Sequence, residues 1–232
     1  MHHYYAVLKA FFNWCVGEGF LEESPLAKVK VVNPKPKVIQ PYTSEEIAKM
    51  LAVCDYDYQH NAKFLGSRNK AIIIMLLDTG MRVSEIASIK LEDIDTKQGW
   101  VKVTGKGAKE RVVRIGATAQ KALWRHLVHR PNNGRPELWL TEEHAPLQSD
   151  GIQMMIRRIK QRVGITSKGN CHRFRHTFAL NFLRADRNPF NLQYLPGHSD
   201  IRMVRHYTAT LGMEDALEAH VKASPADLLG LK

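Results

Sequence analysis

The spacing of apolar positions changes several times along the chain, and each change marks an element. Over residues 4–16, Leu8, Phe11, Phe12, Cys15 and Val16 recur at helical spacing and predict an amphipathic helix that stops near Gly17-Glu18-Gly19. That greasy face needs a partner, and too little chain precedes it to supply one. From Ser24 to Pro41 the periodicity lapses, and Pro25, Pro34, Pro36 and Pro41 among lysines read as an extended linker. A domain boundary is expected there, with the tail of one domain in residues 1–40 and a whole second domain in 41–232.

Thr43-Ser44-Glu45-Glu46 is a capping-box pattern leading into Ile47, Met50, Leu51 and Val53. The run Ala71 to Leu77 is apolar all round and predicts a central core helix, ended near Asp78-Thr79-Gly80 by its glycine. A short helix is expected through Ser84 to Ile89. Trp100–Thr104 and Arg111–Ile115 are β-branched runs around a Gly/Lys loop, which predicts a β-hairpin. Helical spacing returns from Gly116 to His129. Pro131 to Pro136 reads as a loop and Leu138–Leu140 as a short strand. Further helices are expected over Asp150–Val163 with Ser149 as cap, over His172–Arg184, from Asn188-Pro189, from Ser199 to Tyr207, and over Met213–Lys222. The fold class is mainly α with a small antiparallel β-sheet.

Composition narrows the partner. The 232 residues are 44% hydrophobic and 25% charged, enough to bury a core. Lys and Arg number 34 against 23 Asp and Glu, a net charge of +11. Such a surplus favours a polyanion, because each phosphate neutralised releases counterions. Cys15, Cys54 and Cys171 are scattered, which points to neither a disulfide framework nor a zinc site. The longest apolar run is far short of a membrane span, and the N-terminus lacks a signal-peptide layout, so a cytoplasmic protein is expected.

One scattered set of residues carries the chemistry: Arg82 in Thr-Gly-Met-Arg-Val-Ser-Glu, Lys106 in Gly-Lys-Gly, His172 and Arg175 in His-Arg-Phe-Arg-His, His198 in Pro-Gly-His-Ser, and Tyr207. A tyrosine with an ordinary pKa of about 10 attacks phosphate only when its phenolate is favoured. The pentavalent transition state needs donors on its nonbridging oxygens, and an arginine fork supplies two without losing its proton. The leaving 5′-oxygen needs a proton, which Lys or His can give. His172 and Arg175, at i and i+3, share a helical face. Taken singly, each has an ordinary reading: a solvated arginine, a glycine-lysine loop, a helix-end tyrosine.

Together, in this order and these contexts, they resemble the tyrosine recombinases, the phage-integrase family. The resemblance runs from about Pro41 to the C-terminus. It makes Arg82 and Arg175 the phosphate-binding arginines, with Glu85 supporting Arg82. Lys106 becomes the general acid, His172 a proton-transfer or phosphate contact, His198 a donor to the phosphate, and Tyr207 the nucleophile. Residues 4–40 are similar to the last helix and linker of the family's DNA-clamping domain, here truncated. The resemblance implies double-stranded DNA as partner, a homo-oligomer assembled on it, no cofactor and no metal.

Two departures bear on activity. Leu195-Pro196-Gly197-His198 stands where the family carries Leu-Gly-His-Ser after a helix, and a proline inside a helix costs about 3 kcal/mol. Weakened cleavage with DNA binding largely intact is expected from Pro196, and weaker binding from the shortened clamp. A type IB topoisomerase and a catalytically silent DNA-binding remnant are the alternatives. A metal-dependent nuclease is disfavoured, since Asp93, Asp95, Glu142 and Glu143 show no recognisable arrangement.

Overall fold

A computed structural model describes residues 2–29, 40–105, 110–167 and 169–186. The chain divides into two compact units, Met1–Val38 and Ile39–Lys232. In the first, helix α1 spans His2–Gly17 and closes through a turn in which the Phe20 amide donates to the Cys15 carbonyl at 2.9 Å. Trp14 and Phe20 hold their rings 5.7 Å apart across that turn. Of the apolar face expected on this helix, Cys15 is buried, whereas Leu8 and Phe11 are exposed.

The second unit is built around one helix. α2 (Ser44–Gln59) starts with the expected capping box: Thr43 Oγ1 accepts from the Glu46 amide at 3.1 Å, and Glu46 Oε2 from the Thr43 amide at 3.0 Å. α3 (Lys63–Thr79) buries Ala71 through Leu76 and packs against α2. Gly66 lets the two helices approach, for a Cβ there would lie 2.5 Å from the Tyr58 nitrogen. α3 ends at Gly80, whose φ of 60° is the left-handed conformation glycine adopts at least cost. α4 (Val83–Ala87) follows, then a single 3₁₀ turn over Leu91–Asp93.

An antiparallel three-stranded sheet comes next, β1 (Ile94–Asp95), β2 (Trp100–Thr104) and β3 (Glu110–Arg114), in that spatial order. Val101 faces Val113 and Val103 faces Arg111 in the hairpin register. Val101, Val103 and Val113 are buried and their neighbours Lys102 and Val112 are not, the alternation of a one-sided sheet. α5 (Ala117–His129) and α7 (Cys171–Asp186) both pack on α3, and α6 (Ser149–Arg162) lies against α4 and α2.

The architecture is the expected mainly-α fold with a small antiparallel sheet, with local differences. β1 was not foreseen, because two residues carry no readable period. Leu138–Leu140 forms no strand: Leu140 makes an isolated bridge to Pro146, and the Leu138 amide donates to Ile89 at 2.9 Å. Fully buried Trp139 is tied instead by its side chain, Nε1 donating to the Ile86 carbonyl at 2.8 Å. Gln148 rather than Ser149 is the N-cap of α6. The helices expected from Asn188, Ser199 and Met213 lie outside the described residues.

Candidate active site

Arg82 is placed by the end of α3. Gly80 turns the chain, Arg82 takes an extended backbone (φ −71°, ψ 151°), and α4 begins at the next residue. Glu85, in the first turn of α4, reaches back: its Oε2 accepts from the Arg82 amide at 2.7 Å and its Oε1 from Arg82 Nη1 at 3.1 Å. Arg111, arriving on β3, lays both guanidinium ends on the same carboxylate, Nη1 to Oε1 at 2.9 Å and Nη2 to Oε2 at 3.0 Å. Glu85 is only 2% exposed. Burial opposes its charged form, but the bonds from Arg111 and the Arg82 backbone, with both guanidinium charges, outweigh it and hold the carboxyl below its usual range.

Arg175 reaches the same junction from α7. It is buried, and its Nη1 donates to the Gly80 carbonyl at 2.8 Å. Phe178, one turn further along, covers Gly80 so closely that a Cβ there would lie 2.4 Å from its ring. His172, at the start of α7, is exposed. Its neighbour Cys171 is buried, which pushes the thiol up to about 12 and keeps it neutral. The structure thus brings Arg82 and Arg175 to one turn and sets His172 on the helix that carries Arg175. Lys106, His198 and Tyr207 lie outside the described residues, as does Pro196; strands β2 and β3 flank the loop that bears Lys106.

α7 is fixed at its start by groups the sequence did not single out. Arg173 is buried against the Tyr42 ring, its guanidinium carbon 3.9 Å from the centroid. It donates to the carbonyls of Gln40 and Pro41, each at 2.9 Å, and to Glu46 Oε2 at 2.9 Å. Thr177 completes this clasp, its Oγ1 accepting from the Tyr42 amide at 2.8 Å. Lys160, also buried, donates to the Ser167 and Gly169 carbonyls at 2.6 and 2.8 Å and so holds the loop leading to His172. A cleft of about 650 Å³ opens beside that loop, with Arg157, Gln161 and Asn170 in its wall. No signal in a single sequence pairs Arg111 with Glu85, 26 positions away, or Arg173 with Glu46, 127 away.

Among the described residues no group of three or more His, Cys, Asp or Glu side chains is arranged to hold a metal ion. Nor is any helix there long and apolar enough to cross a membrane.

Residues 41–212 match the phage integrase family. Similar proteins include the tyrosine recombinase XerC of Oceanobacillus iheyensis, 30% identical over 95% of this chain and 72% of that protein. The tyrosine recombinase XerD of Listeria monocytogenes is 30% identical over 88% of this chain and 69% of its own length. Among solved structures, the XerA recombinase superposes with a TM-score of 0.66 at 22% identity, over 93% of this chain and 73% of that one. The Tn1549 transposon integrase, solved with a circular intermediate DNA, gives a TM-score of 0.72 at 20% identity, covering 93% and 76%.

Proposed function

The chain belongs to the phage integrase family, and from that membership we propose how a site-specific recombinase's chemistry is distributed over its residues. The enzyme is a tyrosine site-specific recombinase that cleaves and rejoins DNA strands. Arg82 and Arg175 donate to the nonbridging oxygens of the scissile phosphate, where negative charge grows in the transition state. Tyr207 is the nucleophile: its phenolic oxygen bonds to phosphorus, its proton passes to a nearby acceptor, and the bond to the 5′-oxygen breaks. Lys106 gives that leaving oxygen its proton, His172 serves proton transfer or contacts the phosphate, and His198 donates a further hydrogen bond. The 3′-phosphotyrosine retains the bond energy, so a 5′-hydroxyl from a partner strand completes exchange without ATP or a metal.

The observation that carries this reading is the Arg175–Gly80 hydrogen bond, which ties the second arginine to the turn that presents the first. Buried as it is, Arg175 is preorganised at the junction rather than recruited to it. The net charge of +11 supports duplex DNA as the partner. Exchange between two sites needs several copies, a dimer on each site and a tetramer in synapsis. Residues 41–232 are the catalytic domain, 1–40 the helix and linker of a DNA-clamping domain, and the place of action is the cytoplasm.

The test uses a pool of nicked duplexes with randomised arms, which traps cleaved product on the protein. A covalent adduct that resists SDS and EDTA and disappears in Tyr207→Phe is expected; an adduct that survives Tyr207→Phe, or none at all, overturns the assignment. Selected sites then separate exchange between two duplexes from relaxation of one supercoil, the behaviour of a type IB topoisomerase.

A further inference from the structure

We propose that Arg111 is a positioning residue for Arg82, acting through Glu85, and that it couples the β2–β3 hairpin to the first arginine. The inference rests on the reading of Arg82 as a phosphate-binding group. Its basis is the crowding of one carboxylate. Oε1 of Glu85 accepts from Nη1 of both Arg82 and Arg111, and Oε2 accepts from Nη2 of Arg111 and the Arg82 amide.

A carboxylate facing a single donor turns about its last torsion at little cost, a broad and two-fold potential. Two parallel bonds from one planar guanidinium remove that freedom, since they hold the carboxylate in the plane of the fork. With the plane fixed, the remaining acceptor direction on Oε1 is fixed too, and Arg82 Nη1 occupies it. Glu85, the middle of this chain of contacts, is the driest at 2% exposure, with Arg111 at 20% and Arg82 at 40%. The link is therefore buried, and the working end is the side that faces solvent. Within this trio one carboxylate faces two guanidinium groups, so Glu85 by itself does not neutralise both.

The coupling follows from where Arg111 sits. It pairs with Val103 in the hairpin register, next to the pair Thr104–Glu110 that borders the loop bearing Lys106. A shift of β3 moves the fork, the fork turns Glu85, and Glu85 moves Arg82. The hairpin that carries one member of the catalytic set thus sets the aim of another. Lysine in place of Arg111 keeps the charge but cannot span both oxygens.

The experiment compares the full-length wild type, Arg111→Lys and Arg111→Met by arginine Nε–Hε NMR, with the Arg82 signal assigned by its loss in Arg82→Lys. Arg111→Lys is expected to shift and broaden the Arg82 signal in a protein of unchanged fold, and it serves alone if Arg111→Met does not fold. In single-turnover trapping, adduct formation at saturating DNA should slow about tenfold or more while half-saturation moves less than about twofold. In an Arg82→Lys background the same substitution should change the rate less than about twofold, because its route of action is already cut. An unmoved Arg82 signal in folded Arg111→Lys, or equal rate losses in the two backgrounds, overturns the proposal. Should wild type form no adduct, the catalytic reading of Arg82 fails, and the NMR comparison still decides whether Arg111 positions it.

Discussion

Arg175 and Gly80 are joined by a 2.8 Å hydrogen bond, guanidinium to backbone carbonyl, across 95 positions of sequence. The bond has a structural consequence beyond its own strength. The Gly80 carbonyl sits at the end of α3, where the last carbonyls of a helix lack intrahelical donors and carry partial negative charge. A guanidinium there satisfies an orphan acceptor and is held by the helix dipole. Arg82, two residues on, leaves the same turn. The spacing of the two arginines is thus set by one backbone conformation, not by two independent loops.

The first prediction concerns that conformation. Gly80→Ala forces a left-handed residue with a side chain, and its Cβ would lie 2.4 Å from Cδ1 of Phe178. Strain and overpacking together should destabilise the protein by about 2–4 kcal/mol. Urea unfolding measures this, and Phe178→Leu added to Gly80→Ala should recover the part due to the clash. A Gly80→Ala protein as stable as wild type would show that the turn is not under this constraint.

A second prediction tests the clasp at the start of α7. Arg173→Met leaves the Gln40 and Pro41 carbonyls without this donor and Glu46 without its cationic partner. The loss should be about 2–3 kcal/mol, towards the low side for a buried ion pair because the Glu46 side chain stays 22% exposed. Acid should narrow the gap between the two proteins. Burial raises the Glu46 pKa, but the Thr43 amide and Arg173 outweigh it and the net shift is downward. Its stabilising share is therefore present above the unfolded carboxyl pKa and fades as pH falls through the lower folded value. A gap that stays constant down to pH 3 would locate the effect elsewhere.

These residues also show what a sequence discloses. The apolar run Ala71–Leu77, the capping box at Thr43 and the glycine at 80 were legible because each is a local rule, satisfied within a turn or two. The hairpin was legible for the same reason, whereas β1, with two residues, has no period to read. Arg82, His172 and Arg175 were singled out as candidates through their local contexts, and the structure sets Arg82 and Arg175 at one turn. Lys106, His198 and Tyr207 fall outside what it describes. The supporting groups were illegible. Arg111, Arg173 and Lys160 look like any surface cations until the fold buries Arg173 and Lys160 and brings Arg111 onto Glu85, since their partners are chosen by packing.

The third prediction concerns Lys160, which donates to two loop carbonyls and lies 3.4 Å from Asn170 Oδ1. Lys160→Met removes the charge and leaves those acceptors to water. A loss of about 2 kcal/mol is expected. More tellingly, hydrogen exchange at the Gly169 and Asn170 amides should accelerate while the rest of the protein keeps its pace. Uniform acceleration would mean global unfolding instead of a loosened loop.

The last prediction is a pH dependence from a residue remote from the site. His126 on α5 is fully buried, stacked on Trp139 with centroids 5.1 Å apart, and its Nε2 faces the Leu138 carbonyl at 3.3 Å. Its Nδ1 has no hydrogen-bond partner among the described residues. Burial, helped by the charges of Arg68 and Arg130 against the pull of the Leu138 carbonyl, lowers its pKa to about 4. The unfolded imidazole titrates near 6.5, so between those values the unfolded chain binds the extra proton. Stability from the neutral, buried ring is complete above about pH 6.5 and declines as pH falls towards 4, by up to about 3 kcal/mol. In His126→Phe that slope should flatten, although the lost bond to Leu138 lowers stability at every pH. Urea unfolding from pH 4 to 8 separates the two effects: a constant offset reports the hydrogen bond, and a difference that changes with pH reports the proton. Parallel curves for the two proteins would mean that His126 titrates normally and that the acid sensitivity lies in other groups.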